Sequence, residues 1–328
     1  MSVLITTYQH ERFVAEALDG VLEQRTDFSF EVLVGDDAST DGTRAVLARY
    51  AEAHPDRIRT YLPETNLGGG GKLIFQELIR RSRGDYIAQL DGDDYWTSPD
   101  KLQRQVAFLD EHPECSMCFH NVLCRYEDGS SPEVPYNQPK QAPELDVGGL
   151  LDTCPVASCS PVFRREIIDP LPDWYFALPW GDWPLYFLAA QHGSIRYLPD
   201  LMGVYRIHSG GMYRGLSPLD ALRVMIDFYE GMEGIVPPEH EAHRRKALAK
   251  AWTARGLEHE RLADYAAARR CLRESLRVRR VHLPLRRGSG ERRRLRLWLR
   301  LTAPTPLLHP RARDPEAEIE GGNGRDAR

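Results

Sequence analysis

The chain has 328 residues, is 42% hydrophobic and 28% charged, and carries a net charge of −5. This composition excludes wholesale disorder, a collagen-like fibre and a disulfide miniprotein. No run of eighteen apolar residues is present, so no segment qualifies as a membrane-spanning helix. The N-terminus opens on Val3-Leu4-Ile5 without a basic stretch, which argues against a secretory signal. The six dispersed cysteines read as reduced thiols, and the expected location is cytoplasmic. Residues 251–300 hold fifteen arginines against five acids, which leaves the remainder near −15. That acidic balance argues against general nucleic-acid binding.

Taken in order, short apolar strands alternate with amphipathic helices. Val3–Thr6 reads as a strand, and Phe13, Val14, Ala17, Leu18, Val21 and Leu22 then recur at helical spacing. Phe28, Phe30, Val32 and Val34 alternate as a strand ending in Asp36-Asp37. A helix is predicted over Thr43–Ala53, a strand over Arg57–Leu62, and a helix after Gly68–Gly71. Tyr86–Leu90 is a strand running into Asp91-Gly92-Asp93-Asp94, followed by a helix marked by Leu102, Val106 and Leu109. Ser116–Tyr126 reads as a strand and Pro132–Pro143 as a polar loop. A helix is predicted over Pro184–His192. Ala247–Ala263 and Tyr265–Arg277 read as a helical hairpin. Strand–helix alternation at this spacing implies an α/β fold, a mostly parallel sheet flanked by helices, with a helical C-terminal appendage. Ligands of such sheets bind beyond the carboxyl ends of the strands, where Thr6-Thr7-Tyr8, Asp36-Asp37 and Asp91–Asp94 fall.

The Asp91–Asp94 cluster puts three carboxylates into four residues. They repel one another and call for a cation or hydrogen-bond donors. Hard oxygen ligands suit Mg²⁺ or Mn²⁺, although the segment also reads as a solvated turn with Asp94 capping the next helix. In Asp36–Thr43, Ser39 or Asp41 suits the helix cap. Two adjacent acids ending a buried strand exceed what capping needs, and an aspartate there can accept the imide N–H of a pyrimidine base.

Thr6-Thr7-Tyr8, Asp36-Asp37-x-Ser39-x-Asp41-x-Thr43, Asn66-Leu67-Gly68 and Asp91-Gly92-Asp93-Asp94, in this order and spacing, resemble the family 2 glycosyltransferases. The resemblance is close over residues 2–110 and extends to about residue 213. It implies the Rossmann-like GT-A fold, an inverting mechanism, a nucleotide-diphosphate sugar donor and a divalent metal, Mn²⁺ or Mg²⁺. It places Thr6, Tyr8, Asp37, Asn66 and Asp91 at the nucleotide-sugar, with Asp37 reading the base. It makes Asp93 a metal ligand.

The family also places an acid, often Glu-Asp, at a helix start downstream. Here Trp180-Gly181-Asp182-Trp183 stands in that place, with glycine instead of glutamate, and Asp182 becomes the general base. Its flanking tryptophans would form a dry wall that raises its pKa and a face for a sugar. The helix cap is the other reading of Asp182. In Tyr205–Gly211, the resemblance implies a loop closing over the diphosphate, with Arg206 at phosphate and His208 in the metal shell. Cys115, Cys118, His120 and Cys124 have zinc-like residue types, but strand alternation points Cys115 away from the other three.

The implied organisation is a catalytic domain over 1–213, a helical region over 214–305 and a disordered tail over 306–328. Arg292–Leu301, as a helix, suits peripheral contact with an anionic inner membrane face and a lipid-linked acceptor. It also reads as a solvated helix packed on the body. The expected partners are a UDP- or dTDP-sugar and an acceptor that is a glycan, a lipid-linked sugar or a small molecule. A non-catalytic GT-A-like adaptor and a sugar nucleotidyltransferase are the alternatives. The first conflicts with the intact acidic motifs. The second usually has a Gly-rich, Arg-bearing loop where this chain has Thr6-Thr7-Tyr8-Gln9.

Overall fold

A computed structural model describes residues 1–211 and 215–279, together with Trp298. The expectations for Arg292–Leu301 as a helix and for the tail over 306–328 lie outside the described residues. The first half comprises β1 (Ser2–Thr7), α1 (Val14–Leu22), β2 (Glu31–Asp36), α2 (Thr43–Ala53), β3 (Ile58–Tyr61), α3 (Lys72–Arg81) and β4 (Tyr86–Asp91). Then come β5 (Tyr95–Trp96), α4 (Lys101–Glu111), β6 (Cys115–Tyr126), β7 (Val134–Pro135), β8 (Glu144–Leu145) and α5 (Val147–Asp152). The remainder holds β9 (Val162–Arg164), α6 (Arg165–Ile168), α7 (Asp173–Ala177), α8 (Asp182–His192), β10 (Ser194–Ile207), α9 (Pro218–Gly231), α10 (Glu241–Arg261) and α11 (Tyr265–Val278).

The strands form one mixed sheet in the order β3-β2-β1-β4-β9-β6-β10-β5, with β7 on β6 and β8 on β10. Its first four strands are parallel, as the alternation predicts. β9 enters antiparallel between β4 and β6, and β6 pairs parallel with β10. Val3, Ile5, Val32, Val34, Ala88 and Leu90 are buried under α1 residues Val14, Ala17, Leu18 and Val21. Burial of such side chains stabilises by roughly 1.5–3 kcal/mol each.

Two differences from the sequence reading have physical causes. β2 starts at Glu31 rather than Phe28, because Thr26 turns the chain by donating to the Phe28 carbonyl at 2.6 Å. Tyr205-Arg206-Ile207 belongs to β10 rather than to a loop. The pairing of β10 with β6 shifts register between Leu198 and Gly203, which breaks the period-2 pattern that marks a strand. Among the described residues, one compact unit runs to Leu248 and a second starts at Ala249. α9 belongs with the catalytic body: Phe228 stacks on Trp183 at 4.7 Å, and the Tyr229 hydroxyl donates to the Leu151 carbonyl at 2.9 Å. In the second unit, Ala268 and Leu272 pack with Leu257 and Leu276, and Thr253 pairs with Ser275 at 2.9 Å. Among the described residues no helix is long and apolar enough to cross a membrane.

One buried cation opposes this core. Lys101 on α4 is fully buried, with its Nζ 3.8 Å from the Trp96 ring centre and without a hydrogen-bond partner. Burial lowers its pKa to about 7. Lys101→Met is expected to stabilise the protein at pH 7 by about 1–3 kcal/mol, measured by urea unfolding. The gap narrows as pH rises from 7 towards 10, because only the unfolded chain still binds a proton at Lys101 in that window.

Candidate active site

The parallel register of β1 assembles the site. Thr6 lies opposite Gly35 on β2 and opposite Asp91 on β4, and Thr7 lies opposite Asp36. Side chains repeat the pairing. The Thr6 hydroxyl donates to Asp91 at 2.8 Å, and the Thr7 hydroxyl donates to Asp36 at 3.0 Å. Asp36 also accepts from the Ser39 amide and from Arg44 Nε at 2.6 Å, so its carboxylate is spent on holding the loop. Asp37 accepts from the Leu67 amide at 2.7 Å, while Asn66 donates to the Asp37 carbonyl at 2.8 Å. Asn66 therefore braces the Asp37 turn. Asp41 holds the first turn of α2 by accepting from the Thr43 amide at 3.0 Å, whereas Ser39 accepts from the Gln9 amide. Tyr8, 48% exposed, stands open beside them at the end of β1.

Gly92 is required by close approach: a Cβ there would lie 2.6 Å from Thr7 Cγ2 and 3.0 Å from His10 Nδ1. Behind it, the three acids separate by environment. Asp91 is pushed up to about 6 by burial and then by the charge of Asp93. Burial also works upward on Asp93, but the His208 hydrogen bond and the charges of His10 and His208 outweigh it and hold Asp93 low. Asp94 is pushed well up by burial and by Asp93 and Asp91, and it accepts from the Arg206 amide at 2.7 Å. His208 Nε2 lies 3.1 Å from Asp93 Oδ2, and His10 Nε2 lies 3.6 Å from the same oxygen.

The donor chemistry fits a hard divalent cation. Asp91 and Asp93 supply carboxylate oxygens whose crowding a cation relieves, with imidazole beside them. Among the described residues no three His, Cys, Asp or Glu side chains converge as a complete cage. A partial protein shell completed by substrate phosphates is how Mg²⁺ is commonly bound.

Asp182 opens α8, with Oδ1 accepting from the Trp183 amide at 2.8 Å. Burial raises its pKa, and its charge in turn raises that of Asp91. The two carboxylates thus share one electrostatic neighbourhood. Trp180 lies tilted on Trp183 and Phe228, at 5.3 Å from each. Trp183 is buried and donates Nε1–H to the Leu150 carbonyl at 3.0 Å, so it forms the wall but offers no open face to a sugar. Trp180, Gln9 and Ala38 have left-handed φ of 61–62°. Such backbone costs of order 1–3 kcal/mol and clusters at functional sites.

The structure therefore gathers Thr6, Tyr8, Asp37, Asn66, Asp91, Asp93 and His208 around one sheet edge, with Asp182 in electrostatic reach. Arg206 departs from its expected place: the guanidinium is 3% exposed and bonded to Glu16, to Glu127 and to the Asp93 carbonyl. The sequence reading passed over His10, Glu16 and Glu127 as site residues. His10 stood in the sequence directly after Thr6-Thr7-Tyr8-Gln9, which was signal enough. The two glutamates are 111 residues apart and carried none.

Comparison with known proteins identifies the family and the fold. The family described as Glycosyl transferase family 2 matches residues 2–170. The uncharacterized protein Rv1520 of Mycobacterium tuberculosis is 36% identical over 249 residues, 70% of this chain and 69% of that protein. A crystal structure of Staphylococcus aureus TarS with UDP-GlcNAc superposes with a TM-score of 0.61 at 22% identity, covering 84% of this chain and 80% of that one. The mannosyltransferase PcManGT of Pyrobaculum calidifontis, solved with GDP-Man and Mn²⁺, gives 0.54 at 19% identity, covering 92% and 86%. By its sequence match and its fold, the chain belongs to glycosyl transferase family 2 and carries the GT-A fold.

Proposed function

We propose that the chain is a divalent-metal-dependent, inverting hexosyltransferase that takes its sugar from a UDP- or dTDP-sugar and uses Asp182 as general base. The observation that carries this reading is the convergence of Thr6, Asp91, Asp93 and His208 on one acidic loop at the sheet edge, with Asp182 at the start of α8 as a half-buried carboxylate whose pKa is raised. Asp37 is the base reader, since a carboxylate accepts the imide N–H of uracil or thymine. Thr6, Tyr8, Asn66 and Asp91 frame the nucleotide, and Tyr8 is open enough to take a base or sugar ring. TarS, solved with UDP-GlcNAc, supports a pyrimidine donor, and PcManGT, solved with Mn²⁺, supports the cation.

Asp93 and His208, with Asp91 beside them, would hold Mn²⁺ or Mg²⁺. When bound, such a cation supplies a Lewis acid for the charge gathering on the departing diphosphate. Asp182 takes the proton from the acceptor hydroxyl or amine as that atom bonds to the anomeric carbon. The carbon–diphosphate bond breaks on the opposite face, and the nucleoside diphosphate leaves with its electron pair. The wall of Trp180, Trp183 and Phe228 excludes water, which keeps Asp182 basic and protects the donor from hydrolysis.

A thermal-shift panel tests the donor: UDP, dTDP and GDP, each with Mn²⁺, Mg²⁺ or EDTA. A shift with UDP or dTDP that is smaller in EDTA is expected, worth about 2.7 kcal/mol with the metal at a hundredfold excess over Kd. No shift with any nucleotide would leave the adaptor reading in its place. Asp182→Asn is expected to lower kcat by roughly 10²–10⁴-fold while sparing UDP affinity. At saturating donor, kcat of the parent rises with pH through an acid limb above the ordinary aspartate value of about 4, because only ionised Asp182 accepts the proton. An acid limb at or below that value counts against the assignment.

A further inference from the structure

Arg206 is the most heavily engaged side chain at the site. Its Nη2 meets Glu16, its Nε donates to Glu127 Oε1 at 3.2 Å, and its Nη1 donates to the Asp93 carbonyl at 2.7 Å. The guanidinium lies between two rings, 4.4 Å from the centre of Tyr95 and 5.1 Å from that of Phe13. The amide of the same residue donates to Asp94 Oδ1 at 2.7 Å. One residue thus grips two successive positions of the acidic loop. β5, which follows that loop, is paired to β10 through Val204 opposite Tyr95 and Gly203 opposite Trp96. Two residues past Arg206, His208 reaches Asp93 itself.

We propose that Arg206 is a positioning residue: braced by Glu16 and Glu127, its guanidinium fixes the Asp91–Asp94 loop so that Asp93 presents its carboxylate to the cation, and it makes no phosphate contact. The proposal rests on the donor and metal reading above. Reaching a phosphate would cost Arg206 two charge-assisted bonds and both ring contacts, and would strand Glu127. Charge-assisted bonds are worth about twice neutral ones. The planar fork of arginine serves three acceptors at once, which the point charge of lysine does not reproduce.

The test compares Arg206→Lys, Arg206→Ala and Glu127→Gln in the full chain, reading UDP affinity by calorimetry in Mn²⁺ and in EDTA. The expected result is a loss of about tenfold or more in Mn²⁺ for both Arg206 variants, with the affinity in EDTA unchanged. Glu127→Gln is expected to lose affinity in the same direction, and the double variant Arg206→Ala with Glu127→Gln to be no worse than Arg206→Ala alone. A loss of equal size in EDTA, rescue by lysine, or tighter UDP binding by Glu127→Gln would show a direct phosphate contact and overturn the proposal. Hydrogen exchange of the 92–96 amides provides a readout independent of the donor. Lost protection in Arg206→Lys and Glu127→Gln supports the brace, and unchanged protection overturns it. If the parent binds no UDP, the donor reading fails while the exchange result still decides the role of Arg206.

Discussion

Crowding three carboxylates into the four residues Asp91–Asp94, with Asp94 buried and the other two half-buried, is the constraint around which this edge of the protein is built. Each buried charge costs several kcal/mol unless it is paired or hydrogen-bonded. The fold answers by drawing donors from distant parts of the chain. Thr6 comes from β1, the Arg206 amide from β10, His208 from just beyond it, and His10 from the first strand–helix loop. These partners divide the three acids into unlike states. Asp93 is held low, chiefly by its His208 hydrogen bond, Asp91 is pushed up to about 6 by burial, and Asp94 is pushed well up by burial and its neighbouring acids. A loop of three equivalent acids would repel itself open; a loop of three unequal ones holds its shape.

The first half was legible because its order is local. β1, α1, β2, α2, β3, α3 and β4 follow one another in chain order, each with its own periodicity. The parallel register then sets Thr6 beside Asp91 and Thr7 beside Asp36 without further information. The Thr43–Ala53 helix was placed to the residue. The second half was harder to read for equally physical reasons. β9 is three residues long and inserts antiparallel between two strands, too short for alternation to show. β10 carries register shifts that scramble its pattern. The role of Arg206 depends on Glu16, Glu127 and the Asp93 carbonyl, whose proximity no spacing in the sequence encodes. A basic residue beside a phosphate site and a basic residue bracing that site look alike until their partners are seen.

The two halves are joined by a lysine. Lys72 opens α3 directly after Gly68–Gly71, four glycines whose φ values of 62–84° place all of them in the left-handed region. Its Nζ donates to the carbonyls of Phe176 at 3.0 Å and Leu178 at 2.6 Å. Burial lowers its pKa, and the two carbonyls offset part of that cost to its ammonium. The Asn66–Gly68 segment, which holds the Asp37 turn, is therefore one short glycine run away from a tether to the segment that leads into Trp180-Gly181-Asp182.

That linkage explains why a left-handed tryptophan is tolerated at residue 180. A β-branched or bulky residue at positive φ persists only where its surroundings over-determine it. Here the constraints come from both sides. Upstream, the Lys72 tether fixes the carbonyls of residues 176 and 178, and Gly181 leaves only 3.3 Å between an added Cβ and Lys72 Cγ. Downstream, Trp183 is locked by its bond to the Leu150 carbonyl and by its stack on Phe228. The chain must turn sharply between two fixed points, and the turn delivers Asp182 to the first position of α8. There, the helix N-terminus favours the ionised carboxylate while burial favours the protonated one. Burial prevails, which leaves Asp182 a stronger base than an exposed aspartate and gives the strain stored at Trp180 a chemical consequence.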